Sequence, residues 1–140
     1  MNPLAKLFIR GHVLLYRLSG GRLGTTMRGS PIVILTTRGA KSGVIRRVPV
    51  TTLRDGDKFY VIASLGGAPK NPAWFHNLQA NPDVELQVKS DHWRARARVL
   101  PEPERSEVWQ RVITTLPRSR FATYQQKTTR VIPVVELARV

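Results

Sequence analysis

Basic side chains, two glycines and a serine gather in one stretch, Thr36-Thr37-Arg38-Gly39-Ala40-Lys41-Ser42-Gly43-Val44-Ile45-Arg46-Arg47. Arg38, Lys41, Arg46 and Arg47 supply positive charge, and Ser42 adds a neutral donor. Gly39 and Gly43 permit positive φ and close backbone approach, so N–H groups can converge on a phosphate. The stretch is a candidate anion cradle. An ordinary basic hairpin tip has the same composition, and spacing alone leaves both readings open. Lys41-Ser42 looks like the tail of a P-loop, but the two glycines that pattern requires fall on Leu35 and Ala40, which excludes it.

A second stretch, Ala63-Ser64-Leu65-Gly66-Gly67-Ala68-Pro69-Lys70-Asn71-Pro72-Ala73-Trp74, leaves a strand, crosses two glycines and enters a helix. Gly66 and Gly67 would let a flat ring approach the backbone, the helix start offers free N–H groups and Lys70 stands nearby. A plain strand-to-helix connection has the same features, so here too both readings stand.

These stretches need a scaffold, and the chain reads as mainly β from Pro31 onward. Candidate strands are Ile32 to Leu35, Ile45 to Leu53, Phe59 to Ser64, Val84 to Val88, Trp93 to Leu100 and Val131 to Leu137, with Asp55-Gly56-Asp57 as a tight hairpin. Trp93 to Val99 alternates strictly, placing Trp93, Ala95, Ala97 and Val99 on one face and a solvated row of Arg94, Arg96 and Arg98 on the other. Asn71 as cap and Pro72 at the first turn open a helix through Trp74, Phe75 and Leu78, which stops near Asn81-Pro82. Glu102 to Leu116 has acidic residues first and Val108, Trp109, Val112, Ile113 and Leu116 at helical spacing. Leu4 to Leu18 suggests a basic amphipathic helix, with Leu4, Leu7, Phe8, Leu14, Leu15 and Leu18 beside Lys6, Arg10 and Arg17, although Gly11 weakens its middle. It is too short and too charged to span a bilayer, and no secretory signal follows it, so a cytoplasmic protein is expected. The helix either covers one end of the core or touches a membrane surface. The organisation expected is residues 1–30 as helix and connector and residues 31–140 as a β-barrel of about six strands with peripheral helices, an α+β, mainly β class.

A chain of 140 residues suits one core without disulfides. The absence of cysteine excludes thiol catalysis and zinc–cysteine sites, and His12, His76 and His92 share no metal-ligand spacing. The net charge of +14 predicts an anionic partner. The basic residues are dispersed and accompany no nucleic-acid-binding motif, so a small anionic ligand is favoured over nucleic acid.

Taken together, Lys41-Ser42-Gly43 with Arg46 and Pro49, the Ala63 to Trp74 stretch with Asn77-Leu78 and Ala80-Asn81-Pro82, and Tyr124-Gln125 with Arg130-Val131-Ile132-Pro133-Val134-Val135 resemble the deazaflavin-dependent nitroreductase and quinone reductase family. This is a split β-barrel group that uses coenzyme F-420. The likeness runs from about Pro31 to Val135, and the order of the motifs is far more specific than any one of them. It implies that Arg38, Lys41, Ser42, Arg46 and Arg47 meet the phosphate and acidic tail of the cofactor. It further implies that Pro49, Ala63, Ser64, Leu65, Gly66, Gly67, Lys70, Asn71, Pro72, Trp74 and Asn77 border the cofactor, and that Arg118, Phe121 and Tyr124 border the substrate. The chain departs from the family pattern at Ala40, where an arginine is common, at Leu65, where some members carry lysine, and at Arg118 and Phe121, where the nitroimidazole-reducing member has tyrosines.

Under that resemblance, hydride passes from the reduced deazaflavin to a quinone, enone or nitroaromatic, and the protein positions donors where negative charge develops. Ser64 and Tyr124 are the candidates, since a phenol with a pKa near ~10 is protonated at neutral pH. Trp93 and Trp109 fall on core faces, leaving Trp74 as the tryptophan beside the ligand. Flavin mononucleotide is the competing cofactor, and a non-catalytic carrier of cofactor or acidic lipid is the competing class.

Overall fold

The computed structural model describes residues 3–20, 26, 27 and 29–140. Strands β1 (Thr26–Met27), β2 (Ser30–Arg38), β3 (Ile45–Asp55), β4 (Lys58–Ile62), β5 (Asp83–Val88), β6 (Asp91–Val99) and β7 (Val134–Arg139) are joined by helices α1 (Pro3–Leu18), α2 (Ala73–Ala80), α3 (Glu104–Thr115) and α4 (Phe121–Gln126). The sheet runs β1-β2-β3-β4-β7-β6-β5, every pairing is antiparallel, and β5 returns to pair with β2. That last pairing closes six strands into the expected split β-barrel and removes their open edges. Of the connector, residues 21–25 and 28 lie outside the described residues; its Thr26–Met27 forms a two-residue strand beside Ser30 and Pro31.

Alternation along the strands sorts side chains into two apolar layers. Val33, Leu35, Val50, Phe59, Val61, Leu86, Trp93, Ala95, Val135 and Leu137 fill the barrel, and Trp74, Phe75 and Leu78 of α2 join them. On the outside, Tyr60, Ile62, Ile132 and Val134 pack under Val108, Trp109 and Val112 of α3 and Phe121 of α4. The arginine row of β6 is not simply solvated: Arg98 pairs with Glu104 and Glu136, and Arg96 pairs with Asp83.

Helix α1 forms as expected but buries a different side. Ile9, Val13 and Tyr16 pack on Ile32 and Ile34 of β2, and the Tyr16 hydroxyl accepts the Lys89 N–H. The stripe Leu4, Leu7, Phe8, Leu14, Leu15 and Leu18 faces outward, each residue between 48% and 79% exposed. The Asn71 cap is corrected as well. Helix α2 starts at Ala73 after Pro72 and has no side-chain cap, because the Asn71 amide oxygen accepts a hydrogen bond of 2.7 Å from Arg130 Nη1. The final strand starts at Val134 instead of Val131, since the Ile132 N–H is held by the Gln125 side chain of α4 instead of a neighbouring strand.

Candidate active site

The hairpin between β2 and β3 turns over Gly39 to Val44. The Gly39 N–H bonds the Val44 carbonyl and the Gly43 N–H bonds the Gly39 carbonyl, while the Val44 N–H bonds Ser42 Oγ. The Ala40 N–H reaches Asn77 Oδ1 at 3.0 Å. These four N–H groups are spent inside the protein, which narrows the expected backbone cradle to the amides of Lys41 and Ser42 at the tip. Gly43 alone of the two glycines takes positive φ, at 70°; a Cβ on Gly39 would lie 2.6 Å from Ser42 Oγ and would turn that hydroxyl away from the Val44 N–H. Side-chain charge adds to the two tip amides, since Arg38, Lys41, Arg46 and Arg47 are all exposed. Arg47, Pro49 and Thr51 alternate onto the same face of β3, so a line of side chains runs from the charged tip toward the barrel wall.

At the lower end of that line lies a cavity of about 270 Å³. Four separate segments line it: Pro49, Val50 and Thr51 from β3; Ile62, Ser64, Leu65 and Gly66 from the end of β4 and the turn after it; Pro72 and Trp74 from the start of α2; and Ser119, Phe121 and Tyr124 from α4 and the turn before it. A larger hollow of about 400 Å³ lies between β2, β5 and β6, but its Arg38, Arg94, Asp83 and Glu85 mix both signs of charge and bring no aromatic face. The smaller cavity has the chemistry of a ring site. Its walls carry the aromatic rings of Trp74, Phe121 and Tyr124, the last two edge to face with centroids 6.4 Å apart. Its polar groups are few hydroxyls.

The turn Leu65–Gly67 has positive φ at three successive residues, 44°, 64° and 84°. Ser64 begins it, is buried, and makes no side-chain cap bond to it. A Cβ on Gly66 would meet nothing within 4 Å, so this backbone leaves open space at the cavity. A Cβ on Gly67 would sit 2.7 Å from the Tyr124 carbonyl oxygen, so Gly67 is where α4 rests on the turn.

Of the residues expected at the site, Pro49, Ser64, Leu65, Gly66, Pro72, Trp74, Phe121 and Tyr124 come together on one cavity. The others do not line it. Ala63 is buried, Lys70 is exposed, Asn71 bonds Arg130, and Asn77 grips the hairpin. Arg118 extends along Gly29, where a Cβ would meet its side chain at 3.2 Å. Outside the expected set, Val50, Thr51, Ile62 and Ser119 also line the cavity, and Arg130 bonds the loop beside it. Thr51 is accessible to alternation, two residues from Pro49; the Arg130 guanidinium takes the backbone oxygens of Ala63, Ser64 and Ala68 and the Asn71 amide oxygen as its acceptors. Burial draws the Arg130 guanidinium below its ordinary pKa.

A flat apolar pocket joined by a strand face to a cationic tip fits a planar ring carrying an anionic tail, which is the chemistry of a deazaflavin cofactor. A family model described as F420H(2)-dependent quinone reductase matches residues 8–138. An F420H(2)-dependent quinone reductase of Mycobacterium tuberculosis is 40% identical over 134 residues, which cover 94% of this chain and 89% of that one. A solved F420-H2 dependent reductase, FDR-A, superposes with a TM-score of 0.69 at 41% identity, covering 76% of this chain and 93% of that one. Another solved structure, described as a domain-swapped dimer, has a TM-score of 0.72 at 35% identity and covers 97% of this chain and 99% of that one. The chain belongs to the F420H(2)-dependent quinone reductase family and is an oxidoreductase with coenzyme F-420 as its cofactor.

Proposed function

We propose that the cavity between the Ser64–Trp74 junction and α4 seats the deazaflavin ring together with a quinone-type acceptor, and that Arg38, Lys41, Arg46 and Arg47 attract the anionic tail. The observation that supports this most is the convergence of Pro49, Ser64, Leu65, Gly66, Pro72, Trp74, Phe121 and Tyr124, drawn from four segments, on one aromatic pocket. Bound and reduced, the cofactor supplies the hydride. The chain's own residues do the rest. Trp74, Phe121 and Tyr124 exclude water and stack flat surfaces, while Ser64 and Tyr124 hold hydrogen-bond donors toward the acceptor oxygen on which negative charge develops. Enones and nitroaromatics present the same kind of developing oxyanion and belong to the same acceptor class.

Absorbance-monitored oxidation of reduced coenzyme F-420 by menadione tests this reading. Lys41→Ala is expected to weaken cofactor binding by about 1.5 to 3 kcal/mol, the worth of a charged hydrogen bond. Tyr124→Phe is expected to slow turnover by about 10²-fold while sparing cofactor affinity. Equal turnover in Tyr124→Phe removes the donor role, and equal affinity in Lys41→Ala removes the lysine from the tail site.

A second reading concerns α1, because its outward apolar stripe is flanked by Lys6, Arg10 and Arg17 and the helix carries no acidic residue. Among the described residues, no helix is long and apolar enough to cross a membrane. The stripe instead suits peripheral contact with an anionic bilayer surface, on the cytoplasmic side where such lipids concentrate. Ile32 and Ile34, which α1 covers, are the cross-strand partners of Thr51 and Pro49 in the cavity wall. Contact through α1 would bring the cavity close to a lipid phase in which quinones dissolve. Co-sedimentation with vesicles of anionic lipid is the expected result for the wild type, lost in Leu7→Gln/Phe8→Gln with menadione turnover kept. A wild type that ignores such vesicles but self-associates would assign the stripe to a second copy of the chain instead.

A further inference from the structure

The two walls of the cavity come from distant parts of the chain, and one side chain ties the first wall together. Arg130 Nε donates to the Ala68 carbonyl at 2.9 Å, Nη1 to Asn71 Oδ1 at 2.7 Å and to the Ala63 carbonyl at 3.2 Å, and Nη2 to the carbonyls of Ser64 at 2.9 Å and Ala63 at 3.2 Å. A guanidinium has five N–H groups, and these bonds use all of them. Every acceptor is neutral, so the arrangement is not an ion pair. It spans the loop from the strand end at Ala63 to the threshold of α2. The second wall reaches the same residue, because Gln125, adjacent to Tyr124 on α4, donates from Nε2 to the Arg130 carbonyl at 2.8 Å. Its Oε1 accepts the Ile132 N–H and Arg105 Nη2.

We propose that Arg130 is a positioning residue of the site: its guanidinium sets the Ser64–Asn71 wall, and through Gln125 it fixes that wall against Tyr124. This rests on the reading that the cavity holds ring and acceptor. Reacting groups must be placed to within a fraction of an ångström, and while the Gly67 and Ala68 N–H groups close the turn on the Ser64 and Leu65 carbonyls, the guanidinium joins that turn to the strand end and to Asn71. Lysine would keep the charge but present three donors from one nitrogen, which cannot span acceptors from Ala63 to Asn71.

The test compares wild type, Arg130→Lys and Asn71→Ala by hydrogen exchange of the protein alone and by steady-state kinetics with menadione. Arg130→Lys is expected to speed exchange of amides 64–71 by at least about tenfold and leave β2 and β5 protected. It is also expected to lower kcat by about tenfold while changing KM for menadione by less than about twofold. Asn71→Ala, which removes one acceptor of the five bonds, should show the same pattern more weakly. Unchanged loop exchange or unchanged kcat in Arg130→Lys overturns the proposal, as does exchange rising equally in the barrel strands, the mark of a purely structural role. If Arg130→Lys fails to fold, wild-type behaviour in Asn71→Ala overturns it instead. A wild type without turnover removes the functional reading, and the exchange result still decides whether Arg130 holds the wall.

Discussion

Alanine at Gly67 is expected to be among the most damaging single-methyl additions at this site. The residue holds φ at 84°, and the new Cβ would stand 2.7 Å from the Tyr124 carbonyl oxygen, 3.0 Å from Lys127 Cβ and 3.2 Å from Tyr124 Cα. Two of these atoms are backbone, so relief requires α4 itself to shift. A side chain forced into the left-handed region costs about 1–2 kcal/mol, and overpacking adds about 1–3 kcal/mol. The sum is a large part of a stability of about 5–15 kcal/mol, and the melting temperature should fall by roughly 10 °C. Turnover should suffer further, because the helix that moves carries Phe121 and Tyr124. Gly66→Ala is the control. It has φ of 64° and no atom within 4 Å of its Cβ, so it should lose only about 1–2 kcal/mol of stability while its methyl group intrudes on the ring pocket. Paired thermal melts decide the matter: equal melting temperatures for the two variants would mean that α4 does not rest on this turn.

The contrast between these glycines shows where sequence reasoning stops. Gly66-Gly67 announced a turn, but the packing of one glycine and the openness of the other depend on α4, more than fifty positions away in the chain. Strand-forming runs such as Ile32 to Leu35 and Phe59 to Ser64 are legible because β-branched and aromatic side chains stand between turn residues, although the second strand ends at Ile62. Helix α4 was not, since Phe121–Gln126 is too short for a clear period and begins after Arg120, a non-glycine residue at φ of 64°. Asn71-Pro72 had the local chemistry of a helix cap, and a tertiary partner, Arg130, took the asparagine instead. Arg130 is one of 23 lysines and arginines, and most of its acceptors are backbone carbonyls, which leave no mark in a sequence. In α1 the helix was legible and its orientation was not. The helix has two apolar sides, and the smaller one, centred on Val13 and Tyr16, is the side that packs, where Tyr16 also satisfies the Lys89 N–H. The cofactor followed from the resemblance, since the charged hairpin alone would suit many anions.

Removal of the Asn77 side chain is expected to disconnect the charged hairpin from the barrel. Asn77 is 9% exposed on α2, and its amide works in both directions: Oδ1 accepts the Ala40 N–H at 3.0 Å, and Nδ2 donates to Thr37 Oγ1 at 3.2 Å. Asn81, one helical turn on, reaches the Arg38 carbonyl at 3.5 Å, a weaker hold. Asn77→Ala strips two polar groups of their partner at a buried position, at a cost of about 2–3 kcal/mol. Its functional signature should be specific. A hairpin freed to move holds Lys41 in place for less of the time, so cofactor affinity falls, while kcat at saturating cofactor stays near the wild-type value because the ring pocket is built by other segments. Asn77→Asp separates position from charge. Its carboxylate can still accept the Ala40 N–H and can take the Thr37 hydroxyl as donor, so the hairpin keeps its shape, but a negative charge now stands behind a tip meant for an anion. Weak cofactor binding is therefore expected for both variants, with the melting temperature lowered less in Asn77→Asp, where two hydrogen bonds offset part of the cost of burying a carboxylate, than in Asn77→Ala. Full affinity in both variants would mean that the hairpin does not carry the anionic tail.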